Sequence, residues 1–165
     1  MSLPASHMDV GDLTQLAQSV SREQFIARVP GWMLAVAMEG QELPMGFETY
    51  VVDAPAAKRP VRVAEVLPIA KAKGNPYPDR ISVGRARNCD VVLRDPSVSK
   101  LHAHFHVRSA SEFELVDLGS QNGTRVNARK LLAHAPEPVT VGDLLYFGRV
   151  SARIVDADSL FTMLR

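Results

Sequence analysis

The stretch "SVSKLHAHF", residues 97–105, joins a polar run to an alternating one. From residue 101 the apolar residues are Leu101, Ala103, Phe105 and Val107, and the residues between them are His102, His104 and His106. Because successive side chains on a strand point to opposite faces of a sheet, this alternation predicts a strand with its apolar residues facing inward. The polar residues 96–100 then form the loop before the strand, and loops on a rigid scaffold often carry binding groups.

Around this stretch, the chain after Arg59 is a series of short apolar runs separated by turn-forming residues. The runs predict strands at residues 61–70, 80–85, 90–94, 101–107, 112–117, 124–127, 138–141, 144–149 and 151–156. Many short strands at close spacing indicate a β-sandwich or a barrel. The final run "ADSLFTML" predicts a short closing helix.

The first sixty residues have a different character. Ser21 and Gln24 match a capping box, and an apolar helix face follows until Pro30 and Gly31 end it. The apolar runs 32–38 and 47–52 are consistent with two strands or with a helix and a strand, since periodicity does not separate these for short runs. We therefore expect a mainly helical extension at residues 1–59, of unknown role, and a β domain with a closing helix at residues 60–165. The sequence does not decide what this extension does: it could add strands to the sandwich, dock a partner through a helix or form a dimer contact.

Composition narrows the class of protein. A net charge of +1 argues against a protein built to hold nucleic acid, and no apolar run has the length of a membrane span. Cys89 is the only cysteine, which excludes an intrachain disulfide. With no secretion signal in the sequence, a cytoplasmic location is expected.

Three loops of the β segment carry the residues of interest. They are "VGRARNCD" (residues 83–90), "RDPSVSKLH" (94–102) and "DLGSQNGTRVN" (117–127). Each alone is explained by a surface charge, a polar loop or an Asn-Gly turn. Together they resemble the forkhead-associated (FHA) domain family over about residues 62–156. The matching residues are Gly84, Arg85, Ser99, His102, Ser120, Asn122, Gly123, Thr124 and Asn127.

The resemblance implies a mainly β fold, a sandwich of about eleven strands whose loops at one end bind a phosphothreonine peptide. Carried over by position, Arg85 and Ser99 contact the phosphate, Lys100 stands where the family often has Arg or Asn, and Asn122 bonds the peptide backbone. Gln121 belongs to the same binding set, although the family often has Thr or Ser there. The residues Gly84, His102 and Gly123 support the site, with His102 bracing the phosphate loop from behind. A further departure is Ala128, where the family usually has Gly.

The chemistry of these residues agrees with that role. Phosphothreonine carries about −1.5 to −2 charge and three acceptor oxygens, which an Arg fork, a Ser hydroxyl and a Lys ammonium can bind. Such a site needs no nucleophile, general base, metal or cofactor, and the sequence has none of the common catalytic motifs. We therefore expect a binding module and not an enzyme. Its expected partner is a phosphothreonine protein, such as a Ser/Thr kinase or its substrate, with no nucleic acid and no membrane.

Two alternatives remain. His102, His104 and His106 share a strand face and could hold zinc, although no cysteine or carboxylate cluster accompanies them. The domain could also act as a phosphate-independent scaffold or oligomerisation module that uses the faces of its sheets.

Overall fold

A computed structural model describes residues 8–29, 31–37 and 63–165 of the chain. The helices are α1 (Val10–Ser19), α2 (Arg22–Arg28) and α3 (Ala157–Leu164). The strands are β1 (Met33–Ala37), β2 (Val63–Pro68), β3 (Arg80–Gly84), β4 (Val91–Val92), β5 (Ala103–Ser109), β6 (Glu112–Asp117), β7 (Thr124–Val126), β8 (Arg129–Lys130), β9 (Glu137–Val139), β10 (Leu144–Phe147) and β11 (Val150–Val155). The prediction of a mainly β sandwich with about eleven strands and helices at its N-terminal side is confirmed.

The strands form two sheets that pack face to face. One sheet has the order β2-β1-β11-β10-β7-β8, and the other has the order β4-β3-β5-β6-β9. Neighbouring strands are antiparallel except β3 and β4, which are parallel. Apolar residues of both inner faces, among them Leu34, Phe147, Val83 and Phe105, form one buried core. This core holds the strand ends, and with them the connecting loops, in fixed positions.

The three helices cover the outer face of the six-stranded sheet. Leu13 of α1, Phe25 of α2 and Leu160 of α3 are fully buried together with Met33 and other apolar residues of that face. The predicted capping box is present, since the Ser21 side chain accepts from the Gln24 backbone and the Gln24 side chain accepts from the Ser21 backbone. The closing helix is also present, with Asp156 as its N-cap.

The first segment of the chain contributes a strand to the sandwich. β1 lies between β2 and β11 in the six-stranded sheet, with Leu34 paired to Ile154 and to Leu67. Of the alternatives left open for residues 32–38, the strand is therefore the one observed. The predicted boundary at residue 60 and the apolar run 47–52 lie outside the described residues.

The alternation that begins at residue 101 is correct for only part of its length. Ala103 and Phe105 are buried, as predicted, but Leu101 is 53% exposed, so the prediction that it faces inward is wrong. The reason is that β5 begins at Ala103, and Leu101 still belongs to the preceding loop. Alternation of faces applies only where the backbone is already paired in the sheet.

No described helix combines the length and the apolar content that a membrane crossing requires. The cytoplasmic location stays a prediction.

Candidate functional site

Three loops meet at one end of the sandwich, and Ser99 lies where they meet. The backbone N–H of Arg85 donates to the Ser99 carbonyl over 3.0 Å, which joins the loop after β3 to the loop before β5. The backbone N–H of Gln121 donates to Ser99 Oγ over 3.1 Å, which adds the loop between β6 and β7. Asn122 Nδ2 donates to the Ser97 carbonyl over 2.9 Å. The structure therefore brings Arg85, Ser99, Gln121 and Asn122 together, with Lys100 next to Ser99.

The side chain of Arg85 is held in place by one hydrogen bond. Its Nε donates to the Val98 carbonyl over 3.0 Å. The two terminal amino groups of the guanidinium have no hydrogen-bond partner among the described residues, and Arg85 is exposed. One edge of the guanidinium is thus fixed by the protein, while its fork remains available to an anion.

Gly84 allows the backbone of these loops to approach closely. A Cβ at this position would lie 2.2 Å from the Lys100 carbonyl oxygen and 3.0 Å from Cys89 Sγ. No side chain fits at such a distance, so the absence of a Cβ is what permits the Arg85–Ser99 and Ala86–Lys100 backbone bonds.

His102 lies beneath the loops and is fully buried. Its Nδ1 accepts a hydrogen bond from the backbone N–H of Ser99 over 3.0 Å. Its Nε2 lies 2.9 Å from the Gly123 carbonyl oxygen. Since Nδ1 accepts, the ring hydrogen is on Nε2 and is donated to Gly123. His102 therefore links the Ser99 loop to the Asn122 loop, and Phe147 packs edge-on against its ring.

The environment of His102 keeps its ring neutral. Burial lowers the pKa of His102 below its ordinary value, and the hydrogen bond to Gly123 and the Asp117 charge only partly oppose this. A neutral ring is also what the hydrogen bonds require, because a protonated Nδ1 could not accept from Ser99.

Asp117 fixes the loop that carries Gln121 and Asn122, and the sequence analysis did not identify it. Its carboxylate accepts from the backbone N–H groups of Gly119 and Ser120 and from the hydroxyls of Ser120 and Thr124. Burial acts to raise the pKa of Asp117, but these four hydrogen bonds outweigh it, and the pKa lies below its ordinary value. The sequence signal for this residue is an Asp at the end of a predicted strand, two positions before a Gly-Ser turn.

A second set of contacts, also not identified from sequence, holds the Ser97 side of the site. Ser97 Oγ accepts from the backbone N–H of Arg149, and the Ser97 backbone N–H donates to Asp95. Asp95 also accepts from Arg149 Nε over 3.0 Å. A Cβ at Gly148 would lie 2.5 Å from the Ser97 carbonyl oxygen, so this turn between β10 and β11 also requires glycine.

The Asn122-Gly123 pair forms a turn, with Gly123 at φ +84°, but it does not form a two-residue hairpin. β6 and β7, which flank it, belong to different sheets. A two-residue hairpin instead follows it, and connects β7 to β8 through Asn127, at φ 54°, and Ala128.

The three histidines of the zinc alternative differ in environment. His102 is buried and bonded to Ser99 and Gly123, whereas His106 lies 3.6 Å from both Asp79 and Glu114. No group of His, Cys, Asp and Glu side chains suited to a metal ion is present among the described residues.

Comparison with known proteins agrees with this geometry. The model of the FHA domain family matches residues 81–148. Kanadaptin of Homo sapiens is 31% identical over 156 residues, which cover 88% of this chain and 20% of that protein. The glycogen accumulation regulator GarA of Mycolicibacterium smegmatis is 48% identical over 46 residues, 28% of each chain. This chain therefore spans less than a third of the length of either relative.

Among solved structures, the FHA domain of the CT664 protein from Chlamydia trachomatis has the same fold. The two superpose with a TM-score of 0.52 at 20% identity, covering 77% of this chain and 98% of that one. The family match is to the FHA domain alone, which is a known phosphothreonine-binding module. Residues 81–148 of the β-sandwich thus belong to the forkhead-associated domain family, and the sandwich has the fold of an FHA domain.

Proposed function

We propose that this chain binds a phosphothreonine peptide, and that Arg85, Ser99 and Lys100 hold the phosphate. Asn122 and Gln121 contact the peptide beside it. Gly84, His102 and Gly123 keep the loops in the binding geometry without touching the ligand.

The observation that carries the proposal is a group of unpaired donors around Ser99. The Arg85 fork and the Lys100 ammonium have no partner among the described residues. The Ser99 hydroxyl oxygen accepts from Gln121, so its own hydrogen can be donated. Three donors on two adjacent loops, two of them cationic, match the three oxygens and the double negative charge of a phosphate.

Asn122 is suited to a peptide backbone. One N–H of its amide is occupied by the Ser97 carbonyl, which fixes the orientation of the side chain. The second N–H and the amide oxygen form no other hydrogen bond within the described residues, and the side chain is exposed. A donor and an acceptor on one fixed amide can pair with the N–H and C=O groups of an extended peptide.

The partner we propose is a phosphothreonine-bearing protein, either a Ser/Thr kinase or its substrate. GarA is by its name a regulator of glycogen accumulation, which supports a regulatory interaction and not a catalytic role. In this proposal the chain only binds the phosphoprotein, and any catalysis is carried out by the partner.

Calorimetry with matched peptides, one phosphorylated on threonine and one plain, both with uncharged flanking residues, tests this proposal. We expect the phosphopeptide to bind far more tightly. Arg85→Ala should weaken its binding by roughly 2–5 kcal/mol, the usual cost of truncating one partner of a desolvated charge pair. The matched control is Arg87→Ala, an exposed arginine in the same loop, which should bind this uncharged-flank peptide like the parent.

Two outcomes would contradict the proposal. Equal affinity for the plain and phosphorylated peptides would leave the phosphate-independent scaffold as the surviving alternative. An Arg85→Ala variant that binds like Arg87→Ala would show that the phosphate is held elsewhere.

A further inference from the structure

A groove on the outer face of the five-stranded sheet adjoins the proposed phosphate site. It has a volume of about 890 Å³. Ser82 of β3 and His104 of β5, which pair across the two strands, line it together with the loop 72–77 and residues 86–89. Lys100 and Leu101 also line it, so Lys100 belongs to both the groove and the proposed phosphate site. We refer to this surface as the basic groove.

The charges of the basic groove have one sign. Four exposed cationic residues line it, namely Lys73, Arg80, Arg87 and Lys100. Among the residues that the structure describes, no aspartate or glutamate lines it. The ammonium groups of Lys73 and Lys100 and the guanidinium of Arg87 have no hydrogen-bond or ion-pair partner in the described ranges, while Arg80 lies over the Tyr77 ring at 5.8 Å.

One carboxylate adjacent in sequence to the lining residues, that of Asp90, is paired with a lysine that does not line the basic groove. Its side chain is fully buried and lies 3.3 Å from the Lys71 ammonium. It also accepts hydrogen bonds from the Ala72 backbone, from Asn75 and from Ser82. Asp90 therefore shapes the loop 72–77 and does not offset the four cations.

Two further acidic residues lie near this sheet face but do not line the basic groove. Asp79 and Glu114 both lie 3.6 Å from His106, which is not among the residues that line it. Burial is the main cause that lowers the pKa of His104; the charges of Arg80 and His106 add to it, and the charge of Asp79 opposes it. The sheet face thus has an unbalanced positive region next to the phosphate site.

Two large apolar side chains border the same cations. Tyr77 is 60% exposed and Leu101 is 53% exposed. Single exposed apolar residues are ordinary, but here both lie in one groove among unpaired cations. Aromatic residues and arginine are enriched at protein–protein interfaces, and the basic groove has Tyr77, Arg80 and Arg87 in its lining.

We propose that the basic groove binds an acidic segment of the phosphoprotein, adjacent in sequence to its phosphothreonine. This inference rests on the proposed function, because the shared residue Lys100 makes the groove continuous with the phosphate site. A nucleic acid is a weaker fit to the observations, since the chain has a net charge of only +1.

Three phosphothreonine peptides of equal length test this proposal: one with uncharged flanks, one with glutamates before the phosphothreonine and one with glutamates after it. Calorimetry at about 0.15 M salt limits long-range charge effects. We expect one of the two acidic peptides to bind roughly tenfold more tightly than the uncharged-flank peptide, since each exposed ion pair contributes only a few-fold. Lys73→Glu with Arg87→Glu should abolish this gain and leave the affinity for the uncharged-flank peptide close to that of the parent.

The matched control is Arg28→Glu with Arg165→Glu. It changes the net charge equally, but at exposed positions on α2 and at the C-terminus, next to the helices that cover the other sheet. The control should keep the tenfold gain. The proposal is overturned if neither acidic peptide gains affinity, or if both double variants reduce the gain equally.

The same titrations separate this inference from the proposed function. Acidic peptides with a plain threonine are also measured. Suppose that the acidic plain-threonine peptides bind as well as their phosphorylated forms, and that Lys73→Glu with Arg87→Glu abolishes this binding. The result would then support the basic groove as a site for acidic peptides and contradict the proposed recognition of phosphothreonine. If a single-stranded oligonucleotide binds and is lost in that double variant, while no acidic peptide gains affinity, the peptide inference is overturned.

Discussion

His102 Nε2 donates to the Gly123 carbonyl oxygen over 2.9 Å, and this bond joins two loops through residues that lie 21 positions apart in the sequence. The other ring nitrogen accepts from the backbone N–H of Ser99. A single buried imidazole thus satisfies one backbone donor and one backbone acceptor that would otherwise be unpaired beneath the site. The relative position of Ser99 and Asn122 depends on it.

We therefore expect His102→Ala to reduce the free energy of unfolding by about 1–3 kcal/mol, because it leaves buried backbone groups unsatisfied. Urea unfolding of the full chain measures this. His104→Ala is the control, since His104 lies two residues further along, within β5, and is only half-buried. Equal losses in the two variants would contradict a specific bracing role for His102.

The pH dependence of stability follows from the same residue. The pKa of His102 is lowered in the folded chain, so the unfolded chain binds its proton first as the pH falls. Its contribution to stability is therefore complete above about pH 6.5, the ordinary pKa of histidine, and is lost as the pH falls below that value.

The free energy of unfolding, measured between about pH 7.5 and 5, should decline as the pH falls, and the decline should be shallower in His102→Asn. Because burial also lowers the pKa of His104, His104→Asn is measured beside it to separate the two histidines. The same slope in the parent and in His102→Asn would exclude this linkage.

The sheet could be predicted from sequence because its strands are short, apolar and separated by turn residues. The site loops are predicted from the resemblance to the FHA family, which depends on the joint spacing of Gly84-Arg85, Ser99 to His102, and Ser120 to Asn127 and on no single motif. The sequence does not decide whether residues 33–37 form a strand or a helix, because a short, fully buried strand such as β1 has no alternation of apolar and polar residues. β8, at only two residues, was not predicted, since so short a pairing leaves no sequence pattern.

The further supporting contacts of Asp117 and Ser97 could not be predicted, for a different reason. Asp117 accepts from four donors, and these come together only where the chain passes from β6 in one sheet to β7 in the other. The contact of Ser97 with Arg149 joins residues 52 positions apart, which no local pattern encodes. The exposure of Leu101 depends on where pairing in β5 starts, and apolar alternation alone does not locate that residue.

Gly84→Ala tests the close approach of the two phosphate loops. The added methyl would lie 2.2 Å from the Lys100 carbonyl oxygen, so the backbone of one loop must shift. We expect a loss of roughly 1–3 kcal/mol in unfolding free energy, as for other overpacked sites. Gly74→Ala is the comparison, because its Cβ would meet nothing within 4 Å although its φ is +95°. A larger loss at Gly74 than at Gly84 would show that contact with Lys100 is not the limiting factor.

Asp117→Asn tests the support of the Gln121–Asn122 loop. The amide retains only one acceptor oxygen, so part of the four-donor set loses its partner. We expect a loss of roughly 1.5–3 kcal/mol in unfolding free energy, typical of hydrogen bonds to a charged group. Phosphopeptide affinity should also fall, although Asp117 itself is buried and makes no proposed contact with the ligand. Asp12→Asn, an exposed acid in the first turn of α1, should change neither quantity. Unchanged stability in Asp117→Asn would contradict the supporting role.

Ser99→Ala separates ligand binding from loop support most directly. Ser99 Oγ accepts from the Gln121 N–H at an exposed position, so its removal should cost little stability. In the proposed complex the same hydroxyl donates to the phosphate, and its loss should weaken phosphopeptide binding by about 1.5–3 kcal/mol, as expected for a hydrogen bond to a charged group. The plain peptide, which has no phosphate to accept that hydrogen bond, should bind the parent and the variant equally. Ser111→Ala, an exposed serine between β5 and β6, is the control and should leave both affinities unchanged. If Ser99→Ala binds the phosphopeptide like the parent, Ser99 serves only the loop, and the phosphate contacts must come from Arg85 and Lys100.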